Sequence, residues 1–255
     1  MTQHSLPLLT RFKKRVVVVI HFLCIFVNEL PIIRIIHQNY KDTTMNKNEQ
    51  FVITINRELG SGGRTVGRLL AEKLGVPYYD KALIKALQEK YQITVDKIEK
   101  LKGSKQTWWD DIMRLLDVGS GSSNFYLPQK GDETDMLSNE EIFKVETGIL
   151  QNLAAEKSCV VAGRSGFHVF RDHPNHLSVL IQASMPFRIQ RVMHKQNMTE
   201  DEARKTIEKI DKMRENYVQK CTGTSRYDTR NYQVVLCADG KTEEQLVDII
   251  MQYIG

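Results

Sequence analysis

Residues 51–65, FVITINRELGSGGRT, decide how the rest of the chain is read. A β-branched run, Phe51–Ile55, stops at a glycine-rich loop, and a helical pattern begins at once near Arg64. Gly60, Gly62 and Gly63, with Ser61 among them, leave backbone N–H groups free to crowd around a phosphate. The helix that follows turns its positive dipole end toward the same place. A Walker A loop reads G-x-x-x-x-G-K-[ST]. With Gly63 as its second glycine, Glu58 falls at the first glycine position and Arg64 stands in for the lysine. Thr65 keeps the hydroxyl that would hold Mg2+. Arg64 retains positive charge near the β- and γ-phosphates, on a planar fork rather than a compact ammonium. A tight strand-to-helix turn is the bland alternative. Strand, loop, hydroxyl and helix in this order favour phosphate binding.

The chain of 255 residues has room for one sizeable α/β domain or two small ones. Its net charge of +5 is concentrated at the start, where residues 1–44 hold six Lys/Arg against two acids. The remainder is nearly neutral and gives no basis for nucleic-acid binding. Cys24, Cys159, Cys221 and Cys237 show no CxxC or Cys/His metal spacing. Cys159 and Cys237 lie in apolar strand-like runs and read as small buried hydrophobes. A reducing cytoplasm suits them better than a disulfide framework.

The N-terminal segment is the odd part. Arg11, Lys13, Lys14 and Arg15 precede an apolar run, Val16–Val27, too short for a comfortable bilayer span. An uncleaved signal or membrane anchor, a folded extra element, or a translation start that really lies at Met45 would each account for it. The last is favoured, so residues 1–44 are taken as an extension and residues 45–255 as the domain. A nucleotide-using core points to the cytoplasm.

From Met45 onward strands and helices alternate. Strand-like runs lie at Phe51–Ile55, Val76–Tyr79, Ser158–Ala162, Leu177–Ala183 and Tyr232–Cys237. Helices are expected at Val66–Leu74, ended by Gly75, and at Lys81–Tyr91, behind Asp80 as N-cap. Three capping boxes, Ser138–Glu141, Thr199–Glu202 and Thr242–Gln245, open three more. The alternation predicts a parallel, five-stranded sheet covered on both faces. Residues 101–135, polar and holding Trp108 and Trp109, read as an insertion, either a substrate flap or a plain surface loop.

Further arginines cluster at positions where such sheets bind anions. Gly163-Arg164 follows a strand directly, and ligands gather at the carboxyl ends of strands, although an exposed turn arginine would look the same. Arg188 and Arg191 share one face of a helix, and Asp211 and Arg214 repeat the spacing on the next. Joined near Gln196–Thr199, these helices form a hairpin, about residues 188–218, able to close over a triphosphate and exclude water. Solvated charged faces look similar in isolation; Arg204 and Lys205 fit that description.

From Phe51 to its end the chain resembles the cytidylate kinase-like family of P-loop nucleoside monophosphate kinases. The resemblance is carried by Gly60–Thr65, Tyr78-Tyr-Asp80, Gly163-Arg164, Pro186–Arg191 and Ile210–Arg214. It implies a three-layer α/β/α P-loop kinase fold with a helical lid, and MgATP-dependent transfer to a pyrimidine monophosphate. The matching elements in cytidylate kinases hold ATP, start the substrate-binding region, bind the acceptor phosphate and form an arginine-rich lid. Cytidylate kinases carry the loop lysine where this chain has Arg64, and acid-Gly-Arg-Asp where it has Ala162-Gly-Arg-Ser165.

The expected cofactors are therefore ATP and Mg2+, with a small-molecule acceptor as partner. Arg64, Arg188, Arg191 and Arg214 are the candidate catalytic residues, and Gly60–Thr65 the nucleotide cradle. Asp80, Arg164 and Asp211 are the candidates on the substrate side. A nucleotide-binding regulator without turnover is the alternative, and a membrane-tethered interaction protein would rest on residues 1–44 alone.

Overall fold

The computed structural model describes residues 45–81, 83–84 and 139–255. The expectations for residues 1–44, for the 101–135 insertion, for the Ser138 cap and for a helix continuing to Tyr91 lie outside the described residues.

Strands β1 (Val52–Arg57), β2 (Tyr78–Tyr79), β3 (Cys159–Ala162), β4 (His176–Gln182) and β5 (Val234–Cys237) form one parallel sheet. Their order is β2-β3-β1-β4-β5. β1 runs past Ile55 because Asn56 and Arg57 find partners in Leu180 and Ile181 of β4. This order sends the chain to one side of β1 and then to the other. The crevice at the carboxyl end of β1 is where such sheets bind ligands.

Each sheet face is covered, as a parallel sheet with apolar strands requires. Helices α1 (Gly63–Leu74) and α6 (Glu243–Ile254) bring Val66, Leu70, Leu246 and Ile250 against Ile53, Ile55, Val179 and Ile181. On the opposite face α2 (Asn139–Glu156) packs Val145, Ile149 and Leu153 against Val52, Cys159 and Val161. A short helix α3 (Gly166–Val169), not expected from the sequence, adds Phe167 beside Leu180 of β4. The result is a three-layer α/β/α architecture.

Beyond β4 the hairpin expected from the arginine spacing is present as α4 (Met185–Gln196) and α5 (Glu200–Thr222). Ser184 caps α4, with a proline in its first turn, and Asn197 ends it in the left-handed conformation. Thr199 and Glu202 then form the capping box that opens α5. Ile189, Val192, Ala203 and Ile207 bury one another between the two helices, and Leu59 of the glycine loop packs into the same cluster. The lid therefore has its own core and shares it with the loop. No described helix is long and apolar enough to cross a membrane.

Cys237 is exposed, not buried as expected, with Sγ 2.9 Å from Asp239 Oδ2. β5 is the sheet's edge strand, and its last residue opens to solvent. Cys159, on an inner strand, is buried as expected, and burial pushes its thiol up to about 12. At the start of β4, His176 Nε2 lies 2.8 Å from Thr54 Oγ1. Burial, then the neighbouring His173, lowers its pKa to about 4, against the raising effect of a bond with the Phe170 backbone. The folded chain thus binds this proton less readily than the unfolded one, so stability is full above pH 6.5 and falls as pH drops toward 4. The shift corresponds to about 3 kcal/mol at its low-pH limit. Urea midpoints at pH 7 and pH 4.5 should separate more for the wild type than for His176→Gln. Equal separations would refute this assignment.

Candidate active site

The sequence after β1 produces the loop by a local necessity. Gly60 and Gly62 take φ of 87° and 84°, values that a side chain resists. A Cβ on Gly60 would stand 2.8 Å from the Arg188 carbonyl oxygen, so loop and lid touch backbone to backbone. Gly62 faces the Arg191 guanidinium, whose Cζ would lie 3.4 Å from a Cβ there. Ser61 Oγ donates to the Glu58 carbonyl at 3.0 Å and closes the turn. The N-terminus of α1 opens onto this turn.

Loop and lid border an open cleft. Its floor is Glu58–Gly60 and Gly62–Thr65, and its walls include Arg57, Arg191, Lys195 and Arg214. Of the residues expected at the donor site, Gly60, Gly62, Gly63, Arg64, Thr65, Arg191 and Arg214 all line it. Ser61, buried, supports the turn beneath.

Behind the cleft the charges are tightly paired. The buried Asp211 carboxylate accepts the Leu59 N–H at 3.1 Å and takes Arg188 Nη1 at 2.6 Å. Arg214 Nη1 reaches it at 3.3 Å, and Arg226 Nη1 lies 3.6 Å away. Arg188 also stands 3.8 Å from Glu58, whose other contact is the Ala183 N–H at 3.0 Å. Arg226, 1% exposed, donates to Asn56 Oδ1 at 3.3 Å and to the Arg57 carbonyl. Arg188 and Asp211 thus hold lid to loop from beneath rather than lining the cleft. Arg191, by contrast, is paired across the loop with Glu243 at the start of α6.

Arg64 does not point straight into the cradle. Its Nε donates to Asp80 Oδ2 at 2.9 Å and its Nη2 lies 2.7 Å from the same oxygen. Asp80 meanwhile accepts the Leu83 N–H at 3.2 Å, the N-cap role expected for it. None of the three expected substrate-side residues, Asp80, Arg164 and Asp211, lines the cleft. Arg164 pairs with Glu146 of α2 and stacks its Cζ 5.1 Å from the centroid of Tyr217. Tyr217 donates to the second Glu146 oxygen at 2.7 Å; burial, then Glu146, raises the phenol's pKa. Arg164 and Ser165 both hold positive φ, 51° and 52°, immediately after Gly163 at 78°. Two consecutive non-glycine residues in that region are uncommon and mark a position fixed by its surroundings.

Sequence reasoning missed Arg57, Lys195 and Arg226. Lys195 lies one turn beyond Arg191 and could have been found by the same spacing rule. Arg57 ends a strand at the expected crevice. Arg226 sits in a loop with no local pattern to single it out.

A five-stranded parallel sheet, a glycine-rich loop after its first strand and an arginine-bearing hairpin define a P-loop kinase fold. The chain belongs to the cytidylate kinase-like family, whose profile matches residues 52–239. It is similar to an uncharacterized protein from Eubacterium ventriosum at 23% identity and a TM-score of 0.58. That match covers 80% of this chain and 98% of the other. Looser likenesses, at TM-scores of 0.43 and 0.42, join it to shikimate kinase from Bacteroides thetaiotaomicron and a gluconokinase from Sinorhizobium meliloti. These are 15% and 14% identical, cover 79% and 80% of this chain, and are themselves covered to 96% and 91%. No curated protein matches the chain.

Proposed function

We propose that this protein is an ATP-dependent phosphotransferase, passing the γ-phosphoryl group to a small acceptor, with pyrimidine nucleoside monophosphates the first class to test. The observation that carries this reading is the cleft itself: a left-handed glycine loop at a helix N-terminus, roofed by cations from the lid. Backbone N–H groups would hold the phosphates, and Arg191 and Arg214 would face the charge that develops during transfer. Phosphoryl transfer asks mainly for position and charge stabilisation, so no covalent nucleophile is required.

The residues present suit both cofactors. Gly60 and Gly62 hold the left-handed backbone that a loop needs to turn successive N–H groups toward one anion, as a phosphate cradle demands. Thr65 and Glu58 bring oxygen donors to the same cleft. Mg2+ keeps several waters and needs only one or two protein ligands beside the phosphates. Thr65 and Glu58 would hold it there, and it would supply positive charge against the phosphates.

The acceptor side is less defined. Arg164 would meet an acceptor anion only by exchanging Glu146 for it, and Arg64 is held by Asp80. These two pairings favour a second reading, a nucleotide-binding regulator that turns over weakly or not at all. A coupled assay for ADP release with CMP, dCMP and UMP, extended to small hydroxyl acceptors, separates the two. Acceptor-dependent ADP release supports the transferase. ATP binding by calorimetry without transfer to any acceptor supports the regulator, and absence of ATP binding removes both.

A further inference from the structure

The loop cation of a Walker A motif is a lysine, and here its position is held by Arg64, engaged by Asp80. The other arginines facing the cleft from the lid are also matched to acids: Arg191 to Glu243, and Arg214 to Asp211. Lys195 differs. It lines the same cleft from α4, one turn beyond Arg191, and no carboxylate among the described residues pairs with it. Its neighbour in charge is Arg191, another cation. Partial burial and then that guanidinium hold the ammonium below the usual lysine range. Two like charges at the mouth of a glycine loop are an arrangement that an anion between them relieves.

The positions along α4 also order the contacts. Arg188 lies against Gly60 and Arg191 against Gly62, so the helix climbs along the loop from its first glycine outward. Lys195, one turn further along the helix than Arg191, lines the cleft with it.

We propose that Lys195 supplies from the lid the ammonium that the loop lacks, binding the terminal phosphoryl group of the nucleotide donor. This rests on the phosphotransferase reading of the cleft. An ammonium is a compact point charge on a flexible stem, suited to reaching a phosphoryl group across the cleft.

The test is calorimetry on the full chain with ATP and, separately, with ADP, for the wild type, Lys195→Ala and Lys195→Arg. Loss of one charge-assisted contact at a partly exposed site should weaken ATP about tenfold and leave ADP within about twofold. Lys195→Arg should recover most of the ATP affinity. Lys195→Gln repeats the measurement while keeping the apolar stem. Lys205→Ala, which removes an exposed ammonium paired with Asp201 on α5, should change neither nucleotide. Unchanged ATP affinity in Lys195→Ala overturns the assignment, as does an equal loss for ATP and ADP. A wild type that binds neither nucleotide overturns the phosphotransferase reading as well, which keeps the two failures apart.

Discussion

Gly60→Ala is expected to destabilise the fold by about 3 kcal/mol and to weaken ATP binding at least about tenfold. Gly75→Ala should cost only about 1 kcal/mol and leave binding alone. Both glycines hold a left-handed backbone, φ 87° and 66°. What differs is what a methyl group would meet. At Gly75, beyond the end of α1, nothing lies within 4 Å, so the cost is the conformational strain alone. At Gly60 the methyl would press on the Arg188 carbonyl oxygen at 2.8 Å and on its Cβ at 2.9 Å. These atoms belong to the backbone and first side-chain carbon of the lid helix, and cannot swing aside as a side-chain tip would. Either the loop moves down, spoiling the ring of N–H groups, or α4 moves up, carrying Arg191 and Lys195 from the cleft. Thermal melts and nucleotide titrations of the two variants would measure both effects. Matching behaviour would show that contact with the lid does not set the loop's geometry.

That contact was not legible in the sequence, although much around it was. The five strands follow from runs whose apolar residues must be covered on both faces, and each was placed within a few residues. The capping boxes at Thr199 and Thr242 also form where they were expected, because a cap is decided within four residues of chain. The lid hairpin was legible too: helical spacing placed Arg188 and Arg191 on one helix and Asp211 and Arg214 on the next. What spacing cannot supply is the partner across the fold. Asp211 and the Leu59 N–H are 152 residues apart, and Arg226 and Asn56 are 170 apart. Nothing local to 211 distinguishes a carboxylate that faces substrate from one that closes a buried network. Sequence position points Arg64 and Asp80 each toward a ligand, but β2 returns beside α1 and brings them to each other. The left-handed backbone at Arg164 and Ser165 was equally hidden, since non-glycine residues give no warning of it.

The carboxylate of Asp211 carries the other large effect: Asp211→Ala should destabilise the chain by about 3–5 kcal/mol. The side chain itself is small, and its loss as packing would cost far less. The cost comes from what it leaves behind. Arg188 is 7% exposed and Arg226 1%, and removal of Asp211 leaves Glu58 as the acid nearest Arg188 while taking from Arg226 its paired acid. The Leu59 N–H loses its acceptor in the same step. Buried guanidinium nitrogens are already short of partners here: Arg188 Nε and both Nε and Nη1 of Arg226 make no hydrogen bond. A network with that little reserve cannot absorb the loss of its central acid. Asp211→Asn keeps an oxygen for the Leu59 N–H but removes the charge, and should fall between Asp211→Ala and the wild type. Arg214→Ala removes a partner whose side chain is 30% exposed and reaches solvent, so it should cost less than about 1 kcal/mol. Urea denaturation of the three variants orders them. If Asp211→Ala were no worse than Arg214→Ala, the carboxylate would be a surface charge in effect, and lid and loop would have to be joined by Leu59 and its apolar neighbours alone.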